Sequence, residues 1–137
     1  MPTELSCRIT TKDLAILETM LDRYRGSCPH YAYQLRLKVR ASDIYLRDDI
    51  PPDVVTLNSR VAYSVDGAPA GPHLIVQSQS PELPGFALSI HSLRGLALLG
   101  MSEGQETWVT SRGRVEHLTV DEVRAQPEAE ARRLLRA

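Results

Sequence analysis

Aromatic side chains are scarce in this chain. Its 137 residues include one phenylalanine (Phe86), one tryptophan (Trp108) and five tyrosines, so the core must be built mainly from aliphatic residues. The same scarcity argues against chemistry that needs an aromatic-lined pocket, such as the desolvation of a proline ring. Cysteine is nearly as sparse. Cys7 and Cys28 are the only two, too few for a disulfide framework, and they read as free thiols in a reducing compartment. Long apolar runs are missing as well: "LALLG", ending at Gly100, is about a quarter of the ~20 residues that a membrane span requires. The N-terminal "MPTELSCRITTKD" lacks an apolar core of signal-peptide length, so the expected address is the cytoplasm, with no membrane contact. Neither sign of charge dominates. With 16 Lys and Arg against 17 Asp and Glu, the net charge is −1, and no global field draws the chain to nucleic acid or anionic lipid. Contact with nucleic acid is therefore expected to be weak or indirect, through a local patch. No Gly-rich phosphate loop, Ser/His/Asp ordering or paired acidic motif is visible.

A hydrophobic fraction of 42% and a charged fraction of 24% are those of a folded globular chain. Its length suits one domain or a small domain with an appendage. The patterns change at "DDIPPDVV": they are helical before Pro51 and strand-like after it, which sets expected units at residues 1–50 and 51–137. The first helix is expected from about Thr11 to Tyr24, capped by Thr10 or Thr11, with Asp13 in its first turn and Leu14, Leu17, Leu21 and Tyr24 on one stripe. Gly26 and Pro29 end it and restart the chain. The next segment alternates in "QLRLKVR" like a strand, yet Tyr31, Leu35, Val39 and Leu46 also fit a helical stripe. Its unbroken length to Asp48 favours a helix, and two helices about a short turn form an antiparallel hairpin. Pro51 and Pro52 stop the second.

From Asp53 onward "VVTLNSRVAYSV", "PHLIVQSQ", "FALSI", "ETWVTS" and "RVEHLTVDEV" read as strands. "VDGAPAGP" and "SRGR" read as turns, with Gly113 at positive φ. "SLRGLALLG" is a helical insert: Ser92 caps it, Leu93, Leu96, Ala97 and Leu99 cover a sheet face, and Gly100 suits the C′ position. "QPEAEARRLLRA" reads as a terminal helix with Pro127 in its first turn. The fold class is α+β: a short N-terminal antiparallel helical hairpin, then a β-sheet with one packed helix.

The blocks "PPDVVTLNSRV" (Pro51–Val61), "SLRGLALLG" (Ser92–Gly100), "MSEGQ" (Met101–Gln105) and "QPEAEA" (Gln126–Ala131) resemble, in order and spacing, those of the regulators of nucleoside diphosphate kinase (Rnk), relatives of the Gre transcription elongation factors. The resemblance covers roughly Leu14 to Ala131. It implies an N-terminal coiled coil, an FKBP-like C-terminal domain, and core RNA polymerase as partner. Gre-type factors insert the coiled coil into the polymerase secondary channel and grip the channel rim with the globular domain.

The resemblance also implies which residues matter. Gre factors carry carboxylates at the coiled-coil tip, where they help hold a second Mg²⁺ that activates water for attack on RNA. The corresponding tip here is Arg25, Gly26, Ser27, Cys28, Pro29 and His30, which has no carboxylate; the nearest, Asp22, lies about a turn back. A helix of ~14 residues also reaches only about 20 Å. No stimulation of transcript cleavage is expected, and this is how Rnk differs from its cleavage-active relatives. His91, Ser92 and Leu93 match the positions that meet the polymerase rim, although the family usually has proline in place of Leu93 and often an acid or amide in place of His91. Arg36, Arg40 and Arg47 fall on one helical face with Lys38 to the side. That face is either a basic stripe for a partner or a solvated surface balanced by Asp43 and Asp48.

Two other classes of function compete with this reading. Cys28 and His30 could in principle form a nucleophilic or metal site. That requires a positioned base and lowered thiol pKa, or three to four ligands, and no Cys/His cluster lies nearby in sequence, since His73, His91 and His117 belong to the other half. An interaction module for another partner, such as a nucleoside diphosphate kinase, is the third. The expectation carried forward is a non-enzymatic, monomeric regulator, without metal or cofactor, that competes with Gre-type factors for the polymerase.

Overall fold

The computed structural model describes residues 6–80 and 82–136; the first five residues of the N-terminal reading lie outside them. Helix α1 spans Thr11–Arg23, and the Thr10 hydroxyl accepts a hydrogen bond from the Asp13 amide at 3.1 Å, satisfying one of the orphan donors of the first turn. Leu17 is buried, and Leu14, Leu21 and Tyr24 pack partly buried beside it, as the stripe predicts. Helix α2 spans Pro29–Ala41 and opens on proline, whose missing N–H is not needed there. The connection is therefore Tyr24–Cys28, and Pro29 and His30 belong to the first turn of α2.

The second segment is a helix, but it ends well before Asp48. Ser42 turns to φ −75°, ψ 145°, and strand β2 (Asp43–Tyr45) pairs in parallel with strand β1 (Arg8–Thr10), Arg8 opposite Asp43. The Asp43 amide donates to the Cys7 carbonyl at 2.9 Å. Leu46 and Arg47 thus leave the helix, and the expected three-arginine face reduces to Arg36 and Arg40. The cause is non-local: β1 is three residues long with no pattern of its own, and its free edge captures a segment whose Ile44 and Tyr45 suit a strand.

Strands β3 (Arg60–Val65), β4 (Ala68–Pro69), β5 (His73–Val76), β6 (Ala87–Ser89), β7 (Glu106–Ser111) and β8 (Arg114–Ala125) form a sheet in the order β6-β5-β3-β8-β7, with β4 also on β3. All pairings are antiparallel except β5 with β6. Two-residue turns with both φ positive, at Asp66–Gly67 and Arg112–Gly113, close the hairpins. The expected strand over "VVTLNS" is not formed. Val54 makes one isolated bridge to Ser102, Asn58 takes φ 68°, and the extended run starts only at Arg60. Val54, Val55, Thr56 and Leu57 are all buried, so this segment is covered on all sides rather than alternating.

Helix α3 (Leu93–Leu98) lies between α2 and the sheet and touches both. Ser92 caps it, accepting from the Gly95 amide at 3.1 Å, and Gly100 follows it at φ +89°. Leu96 to Leu99 form one core with Leu17, Tyr31 and Leu35 of the helices and Val61, Tyr63, Val109, Leu118 and Val120 of the sheet. Helix α4 (Pro127–Leu135) ties down the irregular segment. The Gln126 amide donates to the carbonyls of Pro51 (2.7 Å) and Val54 (2.8 Å), and Arg132 donates to those of Arg47 and Ile50. Among the described residues no helix is long and apolar enough to cross a membrane.

Candidate functional site

Four sets of side-chain bonds tie together the helical pair, α3, the irregular segment and the sheet. Tyr31 stacks on Tyr24 with ring centres 5.4 Å apart, and its hydroxyl donates to the Ile90 carbonyl at 2.7 Å. Burial pushes that phenol up to about 12, so it remains a donor at any physiological pH. Lys38, only 4% exposed, donates to the carbonyls of Ala97 (2.9 Å) and Leu99 (2.5 Å) at the end of α3 and lies 3.3 Å from Cys7 Sγ. A cation there meets the unpaired carbonyls and negative end of the helix. Asp13 Oδ2 accepts from the Leu57 amide at 3.0 Å. Arg94 grips Glu116 of β8 through two hydrogen bonds, Nε to Oε1 at 2.9 Å and Nη2 to Oε2 at 2.6 Å, and this pairing holds the Glu116 carboxyl below the usual range.

These links leave a groove of about 1010 Å³ between the helical pair and one end of the sheet. Its apolar lining comes from Ile16, Met20, Leu35 and Leu93. Arg23, Arg25 and Arg112 line it as well, with His30 and His91, and no Asp or Glu among the described residues does. Arg25 curls back so that Nη1 donates to the carbonyls of Asp22 and Tyr24. Burial holds the His91 imidazole below its ordinary pKa.

The structure brings together most of the residues singled out in the sequence. Arg25, Gly26 and Cys28 of the connection and His30 of the first turn of α2 line the same groove as His91 and Leu93 from the other half of the chain. Ser92 stands beside them, its hydroxyl donating to the Ser89 carbonyl at 2.6 Å while it caps α3. Arg36 and Arg40 do not join the groove; both are exposed on α2, beside Tyr33 and Leu37. Lys38, read as lying to the side of that stripe, is buried. Cys28 is exposed and its backbone carbonyl accepts from the Tyr24 hydroxyl at 3.4 Å; Cys7 is also free, but buried. Although His91 comes to the same groove as Cys28 and His30, no three His, Cys, Asp or Glu among the described residues converge closely enough to hold a metal ion. Sequence reasoning missed Tyr31, Lys38, Asp13, Arg23 and Arg112 as site-building residues. The last two come from α1 and the β7–β8 turn, and nothing local marks them as neighbours.

No family model and no curated protein sequence matches the chain. Among solved structures it is similar to a prokaryotic transcription elongation factor GreA/GreB from Nitrosomonas europaea, with a TM-score of 0.67 and 26% identity over 87% of this chain and 98% of that one. A second structural neighbour is the GreA factor homologue of Thermus thermophilus, with a TM-score of 0.44 and 13% identity over 88% and 99% of the two chains. The mixed α+β architecture, with four helices and one main sheet among the described residues, is thus similar to the fold of the Nitrosomonas Gre factor.

Proposed function

We propose that the protein is a cytoplasmic, non-enzymatic regulator that binds bacterial RNA polymerase near its secondary channel and competes there with Gre-type factors without stimulating transcript cleavage. The observation that carries this reading is a Gre-like architecture whose inter-helix connection, Tyr24–Cys28, contains no carboxylate. Water activation at an RNA phosphodiester needs anionic oxygen ligands for a Mg²⁺, and Arg25, Gly26, Ser27 and Cys28 offer none. Helices of 13 residues, about 20 Å long at 1.5 Å per residue, also make a short probe. In this reading residues 1–50 act as an Rnk-type coiled-coil hairpin, and residues 51–137 as the FKBP-like unit that supplies affinity. His91, Ser92 and Leu93 meet the channel rim, and Arg36 and Arg40 add an exposed cationic edge. The protein works as a monomer, and its effect is set by relative affinity and concentration.

The test is a pull-down of core polymerase with the full chain, repeated against increasing Gre factor, with a matched RNA-cleavage assay. Retention that the Gre factor displaces, without added cleavage, is the expected result. Leu93→Asp, checked for folding by circular dichroism, should weaken retention at least tenfold. Failure of wild type to retain polymerase, or cleavage above background, overturns the reading.

A further inference from the structure

The groove between the helical pair and the sheet has a lining that contact with a protein rim does not account for. Three arginines line it: Arg23 and Arg25, two residues apart at the end of α1 and in the connection, and Arg112 of the β7–β8 turn; Arg25 Nη1 donates to the carbonyls of Asp22 and Tyr24. Among the described residues no carboxylate forms an ion pair with any of them. Glu18 and Asp22, the acids nearest on α1, do not line the groove. In a chain of net charge −1, this is a local concentration of positive charge in a concave site. Guanidinium forks match phosphate oxygens in pairs.

The rest of the lining is complementary to a flat heterocycle. Tyr24, whose ring stacks on Tyr31 and is bordered by Gly26, lines it together with the apolar residues Ile16, Met20 and Leu93, and with Gln77 and Gln79, whose amides can both donate and accept. A volume of about 1010 Å³ is at the upper end of the ~300–1,000 Å³ of small-molecule sites, larger than a lone anion needs.

We propose that this groove binds a nucleoside phosphate, with the base against Tyr24 and the apolar wall and the phosphates held by Arg23, Arg25 and Arg112. The inference goes beyond the polymerase reading and does not depend on it, because the assay contains this chain alone. Isothermal titration of the full chain at fixed ionic strength, with purine and pyrimidine nucleoside diphosphates, the uncharged nucleosides and pyrophosphate, tests it. Saturable binding of at least one diphosphate is expected, with its nucleoside and pyrophosphate each at least tenfold weaker. Arg23→Ala and Arg112→Ala should each weaken the diphosphate about tenfold, the loss of one charge-assisted contact. Arg124→Ala, a surface change on β8 at a side chain paired with Glu122, should leave binding unchanged. Tyr24 ring resonances should shift on titration. Absence of saturable heat at millimolar nucleotide, an equal loss in Arg124→Ala, or binding of an acidic peptide through Arg23 without any nucleotide affinity would each overturn the proposal.

Discussion

Asp13 carries an ionisable group into the interior: it is 1% exposed and accepts a hydrogen bond from Leu57, far along the chain. Burial is the largest influence on its carboxyl and raises its pKa above the ordinary value, partly offset by the Leu57 amide. Because the folded pKa lies above the unfolded one, its stability contribution is complete below the unfolded pKa and is lost as pH rises through the folded value. Asp13→Asn keeps an acceptor and carries no charge. Its stability relative to wild type should therefore increase as pH rises from about 4, then level off. Urea melts across a pH series measure this, and parallel curves for the two proteins would refute it. Asp13→Ala instead leaves the Leu57 amide unpaired and should cost about 1–3 kcal/mol near pH 4, a cost that shrinks as pH rises through the folded pKa of Asp13. The sequence identifies Asp13 as a first-turn acid, which it is. Its bond to Leu57 has no local signature, since it depends on how an irregular segment crosses the helix.

Among the elements, α3 shows how closely a short helix can be specified. Its cap, its apolar run and its closing Gly100 are all legible in "SLRGLALLG", because each acts within a few residues. Gly95 has a different reason to be there. An added Cβ would stand 2.0 Å from the Ser89 carbonyl oxygen, so α3 can approach the end of β6 only without a side chain. Gly95→Ala should destabilise by about 2–3 kcal/mol, as overpacking against fixed structure does. Gly85→Ala, where the added carbon meets nothing within 4 Å, should be neutral by the same thermal melt. The second helix is the opposite case. Its interior pattern is correct, but its end at Ala41 depends on β1, a partner more than thirty residues away with only three residues to announce it.

At the level of the whole molecule, Lys38 links the parts. One ammonium joins α2 to the last carbonyls of α3 and to Cys7 beside β1. Lys38→Met preserves the stem but abandons those carbonyls, and should lower stability by about 2–3 kcal/mol. Helical circular dichroism and Trp108 fluorescence should lose their folded signals at the same, lower temperature, since α2 and the sheet share one core. Two separated transitions would contradict that coupling. The groove is a feature of the same scale: Arg23 and Arg25 are near neighbours in sequence, and only docking of the helical pair against the sheet brings Arg112 to them.

The amino-acid sequence by itself determined the start of α1, the tight hairpin turn at Arg112–Gly113, the capped α3 and the absence of carboxylate from the Tyr24–Cys28 connection. These are settled by backbone preference, capping and residue identity, which act over a few positions. Only the tertiary structure decided that Asp43–Tyr45 is a strand, that Val54–Leu57 is buried without being one, that Lys38 is an interior residue, and that the connection residues face His91 and Leu93 across a basic groove. Each of those depends on a partner surface remote in the chain, and such a surface exists only once the whole core has closed.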